Sequence, residues 1–159
     1  MRQNQLSRFL ILTLVLLACV NSFSQITIRE VISVSKTDKE KFEIFALNKG
    51  FSFHSVTDVE MAMLAIEPDC DFNCNERYLS LTFKPVGLWS KQSYYATTYS
   101  NELVNWYSEL ASLGFKLEYT RENETEYIKH YIRGERYVEG EEITLTIESG
   151  LVSIWYIKW

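Results

Sequence analysis

Few side chains in this chain have the chemistry to cut, transfer or ligate: there are two His and three Cys in 159 residues. Cys70 and Cys74 lie close together in Glu67-Pro-Asp-Cys-Asp-Phe-Asn-Cys-Asn-Glu76. A tetrahedral zinc site needs four such ligands, and no second Cys/His pair supplies the other two. A redox-active pair would have two intervening residues and a helix start beside it, and neither is present. The pair is expected to form a structural disulfide that shapes a loop. Asp69, Asp71, Asn73, Asn75 and Glu76 alternate like the opening of a calcium loop. Cys74, however, stands where that loop needs Gly, and Ser80 where a bidentate Glu would close it. A solvated loop with no metal and no cofactor is the reading carried forward.

His54 and His130 both fall in strand-like segments, and the chain contains no G-x-S-x-G or H-E-x-x-H. His130 shares a strand face with Ile128 and Ile132, so a histidine satisfied by hydrogen bonds is expected there. A small hydrolase using His54 or His130 stands as an alternative. It requires a carboxylate or hydroxyl beside the ring, inside a cleft.

Aromatic residues are the richer resource, at 14% of the chain. In Thr125 to Arg133, alternation places Tyr127, Lys129, Tyr131 and Arg133 on the face opposite Ile128 and Ile132. Tyr94 and Tyr95 add two more rings. Tyr supplies contact area at low entropic cost and keeps a hydrogen-bonding tip, which suits a recognition surface. These six residues are the expected binding residues, on a solvent-facing sheet side, with a protein as the partner. The acids Glu118 to Glu148 outnumber the bases around them and read as a solubilising surface.

The elements that would position these residues follow from periodicity. Phe42, Phe45 and Ala46 follow Thr37-x-x-Glu40, a capping box, and Gly50 closes the helix. Leu103, Trp106, Leu110 and Leu113 repeat at helical spacing between Asn101, a candidate N-cap, and Gly114. The period then drops to two: Phe51 and Phe53, Leu79 to Phe83, Phe115 and Leu117, Ile143 to Ile147, Thr125 to Arg133 and Leu151 to Trp159 all read as strands. Val59 to Ile66 is assigned to strand as well. Thr27 to Val34 and Ser93 to Tyr99, before the two helices, also favour strand by composition.

A shift of 64 residues superimposes the two halves. Phe42 to Phe53 falls on Trp106 to Leu117, and Leu79 to Phe83 falls on Ile143 to Ile147, in one register. The expected fold is therefore α+β, with helices on one sheet face. Two tandem helix-plus-antiparallel-strands repeats (about 27–88 and 89–159, joined at Lys84 to Lys91) form one compact domain, 25–159. About 60 residues apiece would be marginal alone, which favours a shared core.

With 16 basic against 21 acidic residues the net charge is −5, the wrong sign for a nucleic-acid binder. Arg2, Arg8 and the apolar run Phe9 to Val20 resemble a secretory signal peptide, with Ser22 and Ser24 placing the cut before Gln25. Twelve apolar residues make a helix of about 18 Å, too short to span a bilayer. Leu16-Leu17-Ala18-Cys19 offers lipidation of Cys19 as the alternative. Removing residues 1–24 leaves 135 residues at a formal −7. Together these features describe an exported protein, periplasmic or extracellular, that binds a protein partner and is not an enzyme. A carrier of a small ligand in the cleft between repeats is the second alternative. Mass spectrometry of the native N-terminus should return Gln25; a lipidated Cys19 would replace release by anchoring.

Overall fold

The computed structural model describes residues 25–66, 76–83, 91–98, 102–135 and 139–159. Residues 1–24 with Cys19, the Cys70–Cys74 loop, Lys84 to Ser90 and Asn101 lie outside them, as do the expectations that rest on those positions. The described residues form three helices and eight strands. Helices α1 (Ile28–Ser35) and α2 (Lys39–Asn48) precede strands β1 (Ser52–Val56), β2 (Glu60–Ile66), β3 (Glu76–Thr82) and β4 (Lys91–Thr97). Helix α3 (Glu102–Ser112) precedes β5 (Lys116–Glu122), β6 (Glu126–Arg133), β7 (Glu141–Glu148) and β8 (Leu151–Lys158). All eight strands join one antiparallel sheet in the order β1-β2-β3-β4-β8-β7-β6-β5. The α+β class expected from the sequence is the class observed.

Two local expectations are corrected. The segment Thr27 to Val34 is helix rather than strand. Thr27 forms a full capping box with Glu30, and the Glu109 carboxylate of α3 accepts the N–H groups of Ile28 (2.7 Å) and Arg29 (3.1 Å). These tertiary hydrogen bonds, with Ile28, Val31 and Ile32 buried on one side, override the strand preference of the β-branched residues. The start of α2 moves by one residue. Asp38 is its N-cap and accepts from Lys41 N–H, while Thr37 donates its hydroxyl back to Val34 O. Of the segment read as strand at Ser93 to Tyr99, the residues up to Thr97 do form one, in β4 (Lys91–Thr97), the last strand before α3. Two helices thus precede β1 to β4 and one precedes β5 to β8, where a strand, a helix and three strands were expected in each repeat.

The two helix ends are built alike. Gly50 (φ 81°) and Gly114 (φ 79°) take left-handed backbone, and Phe51 and Phe115 donate to Ala46 O and Leu110 O. A Cβ at Gly114 would meet nothing within 4 Å, so the backbone twist alone demands glycine there.

The core lies between the helices and one sheet face. Following cross-strand pairs, Met63, Leu79, Tyr95, Ile154 and Leu145 form one continuous row beneath the helices, and each is buried. Trp106 of α3 packs edge-on to Tyr95 at 5.9 Å and donates its indole N–H to Ile26 O. Phe51 meets Tyr95 from the other side at 6.4 Å. Two carboxylates are embedded in this layer. Glu141 accepts from Tyr156 (2.8 Å) and from Arg133, whose guanidinium also donates to Leu113 O at the end of α3. Burial acts to raise Glu141, but the Tyr156 and Arg133 hydrogen bonds outweigh it and lower its pKa. Glu102, only 5% exposed, accepts from the Tyr95 hydroxyl at 3.0 and 3.1 Å. There burial outweighs the help of Tyr95, Arg77 and the Ile26 N–H, and the pKa rises to about 7.

An acid whose folded pKa is raised gives stability that is fully present below its unfolded value and lost as pH rises through the folded one. Glu102 should therefore erode stability between about pH 4.5 and 7, with a slope of up to ~1.4 kcal/mol per pH unit. Urea unfolding across that range should show the decline, and Glu102→Gln should flatten it. An unchanged profile in the variant would remove Glu102 as the cause.

Candidate functional site

Among the described residues no helix covers the second sheet face. Pairing register identifies its occupants. Ser80, Tyr94, Trp155, Thr144, His130 and Tyr119 run across it in a single row. Leu64, Tyr78, Ala96, Ser153, Thr146 and Ile128 form the next. The face carries Glu60, Glu76, Glu118, Glu126, Glu142 and Glu148. Its described bases, Lys116 and Arg121, lie on the outer strand β5. Arg121 is already held by Glu126 at 3.3 Å.

The six residues expected to share a wet face are divided. Tyr127, Lys129, Tyr131 and Arg133 pair with Ile147, Leu145, Ile143 and Glu141, the row beneath the helices. Their common face is confirmed as a common face, but it is the covered one. Lys129 Nζ sits 4.2 Å from the Tyr107 ring of α3 and 5.6 Å from that of Tyr127; Arg133 lies over Phe115, and Tyr131 is 9% exposed. Tyr94 and Tyr95 point to opposite sides. Tyr95 is fully buried, and only Tyr94 reaches the open face. Ile128, Ile132 and His130 lie on the helix-free face, where Ile128 and His130 are nonetheless buried.

Two hollows open on this face, on either side of a Tyr78–Tyr94 edge-to-face pair with ring centroids 5.9 Å apart. The larger, about 380 Å³, has Tyr78, Tyr94 and Trp155 as its rings and Glu60, Ser80, Thr82 and Gln92 as its polar lining. Trp155, 38% exposed, donates its indole N–H to Gln92 Oε1 at 3.2 Å, which fixes the ring over the hollow. The smaller, about 290 Å³, is lined by Leu64, Glu76, Tyr78, Tyr94, Ala96 and Leu151. His54 packs edge-on to Tyr78 at 6.1 Å and extends the aromatic patch toward β1. Tyr78 and Trp155 escaped the sequence reading. Trp155 sits beside Tyr156 in the aromatic-rich segment Leu151 to Trp159, and only the cross-strand register brings it beside Tyr94.

His130 occupies a separate, tighter setting. It is 5% exposed, with Nδ1 3.0 Å from Thr144 Oγ1 and Nε2 3.5 and 3.6 Å from carboxylate oxygens of Glu118 and Glu142. Tyr119 stacks on its ring at 4.9 Å and 12°. Carboxylates and a hydroxyl therefore do stand beside this histidine, which is the arrangement a hydrolase would start from. Thr144, however, lies in β7, an interior strand laddered on both sides, so its backbone offers no free pair of N–H groups to hold a developing oxyanion. No group of three or more His, Cys, Asp or Glu among the described residues could hold a metal ion, and no described helix is long and apolar enough to cross a membrane.

The His130 cluster should behave as structure. His130→Leu should cost about 1–3 kcal/mol in urea unfolding, because Glu142 would then face an apolar group across a desolvated gap. Thr144→Val should cost about 1 kcal/mol, the scale of one net hydrogen bond. A neutral His130→Leu would mean the contacts are incidental. No family model, curated protein or solved structure matches this chain.

Proposed function

We propose that this chain is an exported, non-enzymatic binding protein that recognises a protein partner with the open face of its sheet. One observation carries this reading. Among the described residues, an eight-stranded sheet leaves one face without helices and displays Tyr78, Tyr94 and Trp155 at its centre, rings of the kind that anchor protein interfaces. A central, rigid aromatic cluster with a polar rim is how interface energy is usually concentrated. Of the residues expected from sequence, Tyr94 is retained as an anchor, while Tyr95, Tyr127, Lys129, Tyr131 and Arg133 serve the helix-side packing.

The hollows open outward on a broad face, which favours a protein surface over an enclosed small ligand. The occupation of Thr144's own backbone in the ladders of β7 weighs against the hydrolase. Export rests on the leader-like residues 1–24. The two-repeat reading is supported by the symmetric strand order about β4 and β8, and by bulges at His54 and Glu118, 64 residues apart.

The test is a pull-down from the exported fraction of the native host with the mature domain. A Tyr94→Ala/Trp155→Ala variant should keep its circular dichroism and melting temperature and lose the partner by roughly 30-fold or more. Tyr127→Ala/Lys129→Ala should keep the partner. The reverse pattern would move the interface to the helix side.

A further inference from the structure

The half of the open face built from β1 to β4 carries its charge with one sign. Glu60 and Glu76 lie there, and the two described bases of the face, Lys116 and Arg121, are on β5 at the opposite edge. Glu60 is the sole charged residue among the described residues lining the larger hollow. Its backbone is occupied in the β1–β2 turn, where its N–H donates to Thr57 Oγ1 and its carbonyl accepts from Thr57 N–H. Its half-buried carboxylate has no hydrogen-bond or ion-pair partner among the described residues. That carboxylate is within electrostatic reach of Tyr78, whose phenol is pushed up first by burial and then by Glu60.

Three aromatic rings and a carboxylate with no counter-charge among the described residues, around an open volume of about 380 Å³, form a setting that attracts a cation twice. The ring quadrupoles favour a guanidinium or ammonium within about 6 Å, and Glu60 supplies the opposing charge. Gln92 and Thr82 also line the hollow, and their side-chain oxygens, that of Gln92 already taking the Trp155 N–H on one lone pair, have acceptor capacity for the N–H groups such a cation brings. A neutral sugar would also stack on the rings, but it would leave Glu60 without a counter-charge. Resting on the protein-binding reading above, we infer that this hollow is the socket for a basic side chain, Arg or Lys, projecting from the partner.

The probe is N-acetyl-arginine amide, followed by the indole N–H signal of Trp155 in NMR spectra of the mature domain, assigned with Trp155→Phe. The signal should shift saturably, and the isosteric N-acetyl-citrulline amide should leave it in place. Glu60→Gln should weaken binding about tenfold, equivalent to ~1.4 kcal/mol, while Glu148→Gln, on the same face but remote from the hollow, should stay within about twofold. Unchanged circular dichroism shows that each variant is folded. Equal shifts with citrulline amide, equal weakening by Glu148→Gln, or shifts with maltotriose that ignore Glu60→Gln would each overturn the socket. Loss of the partner on Tyr94→Ala/Trp155→Ala without any arginine-amide shift would overturn the socket alone. An arginine-amide shift with the partner retained by that variant would overturn the interface alone.

Discussion

The ladder between β4 and β8 is the connection on which the rest of the fold depends. It runs from Lys91↔Lys158 to Thr97↔Val152 and is where strands β1 to β4 join strands β5 to β8 in one sheet. Backbone hydrogen bonds supply its register, but the side chains beneath supply the reason it holds: Tyr95 and Ile154 pair across it, and Trp106 and Phe51 close on Tyr95. The same ladder sets Tyr94 directly opposite Trp155 on the other face. One register therefore builds the core and the candidate site at once, and a slip of a single residue would exchange their faces.

Helix α1 shows how much of the covering layer depends on partners far along the chain. Its first turn is satisfied by Glu109, about 80 residues away, and Ile26 is tied to Trp106. A carboxylate at a helix start also meets the positive end of the peptide dipoles. The layer thus mixes favourable charge placement at Glu109 and Glu141 with a costly one at Glu102. The costly one touches Tyr95, at the seam itself.

Sequence alone located both glycine-terminated helices and nearly every strand, because the shift from a period near four to a period of two is a local signal. It assigned the sides of β6 the wrong way round, and the reason is physical. Both rows of Thr125 to Arg133 can be buried: Ile128 and Ile132 by composition, Tyr127, Lys129 and Tyr131 by laying stems and rings under a helix. Alternation separates two faces without saying which one a helix will cover. Lys129 reads as solvent-exposed in sequence, yet its ammonium caps the Tyr107 ring. The strand segment Thr27 to Val34 failed for a related reason: its β-branched residues are outvoted by a capping box and a distant carboxylate. Within the candidate site, Tyr94 was visible beforehand; Tyr78 and Trp155 became neighbours of Tyr94 only through register.

The bulges at His54 and Glu118 fall on the two outermost strands, where a sheet still has unpaired backbone on offer. An edge that is kinked and set with charge, as Lys116, Glu118, Arg121 and Glu122 set β5, is a poor template for another chain to extend. A protein that displays a bare aromatic face has reason to be guarded at its margins. A bulge interrupts each rim, but only β5 adds charge to it; β1 is uncharged and exposes Phe53 and Val56, so the two margins are guarded unequally.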